Sequence, residues 1–429
     1  MRVSPALALV LLLAGLTACT GDEDTRPSPA QSTRAEPSPA ASPGHGSARG
    51  MSFTVAATVR RADAVPIGRP EQRPYERPFR SASDLGQGRT AAGLDLTADG
   101  RLITSSDPKA RTVDGRLRIG QSRMGLQTAD GFTPFPPAPR GSCRNKGPRQ
   151  APYADEQNGV VAWAETTTTN LYRFDWCVFA HHPRTGRTTL LGDSHTLTRG
   201  KPMPEAQDGS GLSLGTDTAY WATAHPLPGK KNAFGTRIVA APLTARTPGF
   251  HTVVERAKLP QALGKSLFYV RTADVTPELR KDRFEIHRLD PGGTDTVVAH
   301  GTLAKGQSVS TLAVSKDRIT WTIATHTRTS GLLYSLDLRT NRALTIALGH
   351  SAPATMALRA TDRFLAWGGA DEGDAGQYLY DLPRNKLWRL GSQPGYSVAH
   401  AAGDHVAWAK LSQPKRGPGT STYTVARWK

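Results

Sequence analysis

Several groups of residues have types and spacings that could carry chemistry. Gly211-Leu212-Ser213-Leu214-Gly215 spells G-x-S-x-G, the elbow in which a strand turns sharply into a helix and exposes a serine hydroxyl. No helical pattern follows it, so Ser213 is expected in the first strand of a sheet unit and not as a nucleophile. His181-His182 stand just before Pro183-Arg184-Thr185-Gly186. Neighbouring side chains on a strand point apart, and no Cys or Glu accompanies them at metal-ligand spacing. His195, His300 and His350 each close a strand-rich unit, where capping of turn backbone is the expected role. Asp371-Glu372-Gly373-Asp374 is acidic but lacks the D-x-[DN]-x-[DN]-G spacing of a calcium loop. Completing a calcium site would take Asp107 or Asp274 from elsewhere in the chain. The pattern predicts a solvated loop instead, and neither a metal nor a cofactor is expected.

The chain opens with Arg2 and an apolar run from Ala6 to Leu16, then Leu16-Thr17-Ala18-Cys19. This resembles a bacterial secretory signal ending in a lipobox, after which Cys19 would become a diacylated N-terminus. The apolar run is too short for a permanent span, and two acyl chains anchor a protein firmly. The resemblance implies a signal peptide over 1–18 and a lipoprotein on the cell membrane, facing outside the cytoplasm. In that oxidising compartment Cys143 and Cys177 are an even pair, so a disulfide is expected between them.

Residues 19–50 are rich in Pro, Ser and Ala with almost no large apolar side chain. They cannot bury a core and read as a disordered tether. The first 50 residues carry no net charge, so the whole +18 of the chain belongs to residues 51–429. The basic residues are scattered, with no run of five, which argues against a nucleic-acid partner and for a general attraction to anionic surfaces.

From residue 88 the chain repeats loosely. Each unit holds a polar turn, a strand ending in an aromatic, a variable loop, a strand of the form aromatic-x-hydrophobic-Asp-Leu, and a final strand ending in Leu-Gly. Ser315–Trp321 with Leu333–Asn341 is the clearest copy, and Thr361–Trp367 with Tyr378–Leu382 the next. The aromatic ends at 163, 221, 269, 321, 367 and 408 lie 58, 48, 52, 46 and 41 residues apart. Four short strands at that period predict an all-β propeller. A degenerate first copy, with strands at 99–103, 115–119 and 131–132, brings the count to seven blades; six blades plus an extra N-terminal domain is the alternative. The last unit supplies three strands, and residues 52–59 alternate as a strand should, so they are expected to close blade seven from outside. The Asp-Gly turn, aromatic-ended strand and Tyr-x-hydrophobic-Asp-Leu-x-Thr-Gly strand resemble TolB-like propellers over most of 88–428. That resemblance implies fold and not activity. The chain departs from TolB itself in lacking an N-terminal α/β domain and in its lipobox.

Loops between second and third strands open on the face where propellers usually bind ligands. Three are long and basic, carrying Lys230 and Lys231, then Arg280, Lys281 and Arg283, then Lys415 and Arg416. The expectation is a monomeric, non-catalytic binding propeller for an anionic envelope component or a protein partner. The alternative is a propeller enzyme of glycosidase, lyase or quinone-dependent dehydrogenase type. A glycosidase would be marked by two carboxylates facing each other across the central pocket on the loop face.

Overall fold

A computed structural model describes residues 51–429 except 68–73, 83, 87–88, 109–110, 114–115, 119, 139–142, 144–148, 167–174, 199–203, 205, 207–210, 228, 230–232, 326–330, 349–354, 370–375, 392–398 and 413–419. Three N-terminal strands come first: β1 (Thr54–Arg60), β2 (Val65–Pro66) and β3 (Tyr75–Ala82). Blade one contains β4 (Asp84–Gly86), β5 (Arg89–Leu96) and β6 (Leu102–Pro108). A hairpin of β7 (Arg111–Val113) and β8 (Arg116–Arg118) follows, and β9 (Arg123–Thr128) and β10 (Gly131–Pro134) complete the blade. Blade two is β11 (Gln150–Gln157), β12 (Val160–Thr166), β13 (Cys177–His182) and β14 (Arg187–Asp193), followed by one helical turn, α1 (His195–Thr198). Blade three is β15 (Leu212–Leu214), β16 (Thr218–Pro226), β17 (Phe234–Pro242) and β18 (His251–Glu255). Blade four is β19 (Lys258–Leu263), β20 (Ser266–Thr272), β21 (Arg283–Leu289) and β22 (Asp295–Thr302). Blade five is β23 (Gln307–Ser315), β24 (Arg318–Thr325), β25 (Leu332–Asp337) and β26 (Arg342–Ala347). Blade six is β27 (Thr355–Ala360), β28 (Phe364–Gly369), β29 (Gly376–Asp381) and β30 (Lys386–Gly391), and blade seven β31 (His400–Ala402), β32 (His405–Ser412) and β33 (Thr420–Trp428).

The fold is a seven-bladed propeller of antiparallel sheets. Each repeated aromatic closes the gap between blades: Trp163, Trp221, Tyr269, Trp321, Trp367 and Trp408 are all buried. Asn158 and Gly159 (φ 53° and 82°) make the tight turn joining β11 to β12, the left-handed pair that a two-residue hairpin requires. In blade one the aromatic position falls to Thr104 and Ser105, both fully buried. That substitution is why this copy looks degenerate. Its third strand is β9, whereas residues 115–119, expected as a blade strand, contribute to the separate β7–β8 hairpin.

The ring is closed by an N-terminal strand, though not by the expected one. Residues 52–59 do not complete blade seven; β1 lies parallel against β26, outside blade five. β2 lies parallel against β30 of blade six, and β3 pairs antiparallel with β33 of blade seven. The side chains decide this assignment. Phe53 enters the core of blades four and five, with its ring 5.3 Å from Trp321 and 5.8 Å from Tyr334. Tyr75 fits the last blade, 5.3 Å from Trp408 and 6.1 Å from Trp428. Pro78 sits at the irregularity between Glu76 and Phe79, where its missing N–H costs no ladder bond. Ser52 starts the strap on blade four, donating from its amide to the His300 carbonyl (3.1 Å) and accepting from the His300 amide (3.0 Å). One segment thus runs around the outer rim of four blades and covers edges that would otherwise be open.

Candidate functional site

An antiparallel blade places its 1–2 hairpins on one face of the ring and its 2–3 loops on the other. Inner-strand register puts one residue of each blade opposite the residue that precedes the blade's aromatic position. Asp95 lies opposite Ile103 and Asp155 opposite Ala162. Ser213 faces Tyr220, Gln261 faces Phe268 and Ala313 faces Thr320. Arg359 lies opposite Ala366, and His400 opposite Ala407. These seven form a layer around the axis close to the 1–2 hairpin face, polar in every blade except five.

Four of them meet. Arg359 Nε donates to Asp95 Oδ1 at 2.9 Å, and its Nη2 donates to the Ala154 carbonyl at 3.3 Å. Asp155 Oδ2 accepts the Leu214 amide at 2.6 Å, and the two aspartates are hydrogen-bonded to each other. His400 Nδ1 stands 3.8 Å from Asp95 Oδ1, and neither ring nitrogen makes a hydrogen bond of ordinary geometry. Asp95 and His400 are almost without exposed surface. Asp155 and Arg359 keep part of theirs, 24% for the Arg359 side chain, although protein surrounds both. Burial and the nearby Asp95 charge push the Asp155 carboxyl up to about 7, against the pull of Arg359 and the Leu214 amide. Burial, reinforced by Arg359, pushes the His400 imidazole down to about 4 despite Asp95. The cluster therefore contains a carboxylic acid sharing its proton with a carboxylate, a guanidinium and a neutral imidazole.

On the opposite face the 2–3 loop of blade four is fully described. Lys258, which has no exposed surface, binds Asp274 (Nζ to Oδ2, 3.0 Å). Burial alone would raise the Asp274 carboxyl; the Lys258 ammonium and the Thr272 hydroxyl outweigh it and leave the carboxyl below the usual range. Arg256 pairs with Glu278, and Thr276 donates to the Arg256 carbonyl at 2.7 Å. Left-handed backbone at Arg256 and Leu259 (φ 57° and 54°) bends the crossing that carries Lys258. The loop is thus pinned to the crossing from blade three. Of the sequence-predicted basic residues on it, Arg280 pairs with Asp282 (2.8 Å) and Arg283 with Glu285 (3.1 Å). Lys281 is exposed. Lys230, Lys231, Lys415 and Arg416 lie outside the described residues, as does Cys19.

Ser213 occupies the inner strand β15, where its Oγ accepts the Ala262 amide at 2.9 Å; no elbow forms there. His181 stacks on Phe135 at 4.3 Å and its Nδ1 meets Thr188 Oγ1 at 3.2 Å. His195 begins α1, and His300 is engaged by Ser52 through its backbone. His350 and the 371–374 acidic run lie outside the described residues, and among the described residues no three ligating side chains gather for a metal. Asp107 accepts hydroxyls of Ser105 and Ser122 in blade one, far around the ring from Asp274 in blade four. The expected disulfide joins Cys143 to Cys177, with Cα atoms 6.4 Å apart, within the usual span of such bonds. It ties the crossing from blade one to the start of β13, the third strand of blade two.

No protein-family model matches the chain, and no curated protein does. Solved structures resemble it at low identity. The β-propeller domain of the Trilobed protease from Pyrococcus furiosus has a TM-score of 0.45 at 9% identity, over 75% of this chain and 91% of that one. An acylaminoacyl peptidase scores 0.45 at 10% identity, over 80% of this chain and 52% of its own. Prolyl oligopeptidase B from Galerina marginata scores 0.45 at 8%, over 80% and 49%. The chain spans about half the length of those two peptidases.

Proposed function

We propose that the protein is a lipid-anchored, extracytoplasmic propeller of TolB-like type that binds an anionic component of the cell envelope through its 2–3 loop face, without chemistry of its own. The observation that carries the non-catalytic reading is the position of the paired carboxylates. Asp95 and Asp155 do meet near the axis, but at the hairpin end, with Asp95 bound by Arg359 and Asp155 by the Leu214 amide. A glycosidase pair needs both carboxylates free to flank a substrate bond. Anchoring is supported by the signal-like start ending in Cys19, and anion binding by the net charge of +18 confined to the ring. The self-paired Arg280 and Arg283 do not oppose this, because exposed ion pairs contribute little and exchange partners readily.

The test uses the full chain with purified anionic wall polymer and with anionic vesicles. Reversing Lys230 and Lys231 to Glu, together with Lys281→Glu, should weaken binding at low salt. The parent's affinity should fall steeply as salt rises, through screening and counterion release. Binding insensitive to both changes would shift the reading to a protein partner.

A further inference from the structure

We propose that Asp95, Asp155, Arg359 and His400 form a proton-operated clasp across the ring's closing seam, tight while Asp155 and Asp95 share a proton and loosened when that proton leaves. The four side chains come from blades one, two, six and seven. The blade six to blade one bond passes over blade seven, whose inner strand β31 has only three residues. Next to it, the Gly93 amide donates to Tyr423 Oη of β33 at 2.9 Å, and Leu96 and Leu102 of blade one pack on Ala407 and Val425 of blade seven, so polar contacts join a small apolar cluster at this seam. With the proton in place, the cluster holds one guanidinium against one carboxylate. Without it, two carboxylates share one guanidinium beside an imidazole that stays neutral.

The charged neighbours do not relieve this. Glu156, on β11 itself, adds negative charge, and Asp99, in the first hairpin, is paired with Arg101 at 2.9 Å. β6 brings only Asp107, paired opposite Thr90 at the far end of β5. β12 brings Glu165, which is bound to Arg149. β32 brings Lys410, three residues beyond the partner of His400, and His405, whose Nδ1 meets the Ala98 carbonyl. β24 brings Arg318, paired with Asp337. β15, β23 and β28 contribute no ionisable side chain.

Folding transfers a proton within this cluster. Between about pH 4 and 6.5 the unfolded chain has His400 protonated and Asp155 ionised, while the folded chain has His400 neutral and Asp155 protonated. Both states then hold one proton, so the pair gives stability no slope in that window. Above about 6.5 the unfolded chain has lost its proton and the folded chain keeps one up to about pH 7, so stability falls as pH rises through that interval.

The two terms separate by mutation. Unfolding midpoints of the full chain, His400→Gln and Asp155→Asn are measured from about pH 4 to 8. Relative to the parent, His400→Gln should lose stability with rising pH up to about 6.5 and run parallel to it above. Asp155→Asn should gain it up to about 6.5 and show no decline near 7. Each difference should approach tenfold in the unfolding constant per pH unit, the slope of one proton. Variant curves parallel to the parent's would overturn the proposal. Should a variant fail to fold, hydrogen exchange of the parent decides: on passing pH 7, protection corrected for intrinsic rate should drop in β31 and β33 relative to β24, and an equal response in all three strands would reject the clasp.

Discussion

Arg359 Nε reaches Asp95 Oδ1 across 2.9 Å, joining residues 264 positions apart and linking blade six directly to blade one. Most other contacts in the ring run between sequential blades, whose faces bury aromatics against each other. This bond instead spans a blade, and it works together with the β3–β33 pairing at the rim. The closing junction is therefore held at both radii: backbone hydrogen bonds outside, and a charged pair near the axis.

Removing one partner of that pair should be costly, because the other charge remains in a largely protein surround. Arg359→Met is expected to destabilise by about 3–5 kcal/mol. Adding Asp95→Asn should recover part of the loss, since the orphaned carboxylate disappears. Denaturant midpoints of the single and double variants measure this coupling. A double variant no more stable than Arg359→Met would remove the pair from the account of closure.

The disulfide spans a sequence separation of 34, which in the chain-entropy model corresponds to about 3–4 kcal/mol. Mass mapping without reductant should find Cys143 joined to Cys177. Reduction should lower the thermal midpoint, and the Cys143→Ala, Cys177→Ala double variant should match the reduced protein. Two free thiols in protein isolated from an oxidising compartment would contradict the pairing.

Much of this architecture is legible in the sequence because one residue type marks it. A buried aromatic sits inside the second strand of six blades, and its spacing counts them. Blade one escapes that count where Thr104 and Ser105 replace the aromatic, and the inserted β7–β8 hairpin imitates a blade strand. Residues 52–59 are recognisable as a strand from their alternation, yet their partner is chosen by where Phe53 and Tyr75 each fit, which no local pattern records. The axial cluster is missed for a similar reason. Asp95, Asp155, Arg359 and His400 stand in four separate repeats, each unremarkable alone. The available signal was their shared register, each paired with the residue at or before the aromatic position of its own blade.

Gly93 makes the seam between blades seven and one testable at another point. A Cβ added there would lie 2.9 Å from Tyr423 Cε1 and 3.1 Å from a Leu102 methyl, closer than packed carbons tolerate. Gly93→Ala should therefore destabilise by about 1–3 kcal/mol through overpacking. Tyr423→Phe keeps the ring but leaves the Gly93 amide without its acceptor, at a cost of about 1–3 kcal/mol. In thermal melts both variants should fall below the parent. A neutral Gly93→Ala would mean that the two blades are less tightly apposed than the contact implies.

The rim strap should depend on Phe53 more than on its backbone ladder. Phe53 is 3% exposed and packs edge-on against Trp321, while β1 beside it is mostly half exposed. Phe53→Ala removes a large buried side chain, at a cost of about 3–5 kcal/mol if the strap unfolds with the ring. If the strap detaches first, the ring keeps most of its stability and the loss is local. Hydrogen exchange distinguishes the two cases. Local detachment should strip protection from β1 and the facing edge of β26 while β24 keeps its own, and global loss should lower all three together. We expect local detachment, because β23 to β26 form a complete four-stranded blade without β1. Unchanged exchange along β1 in Phe53→Ala would show instead that the parallel ladder from Thr54 to Arg60 holds the strap unaided.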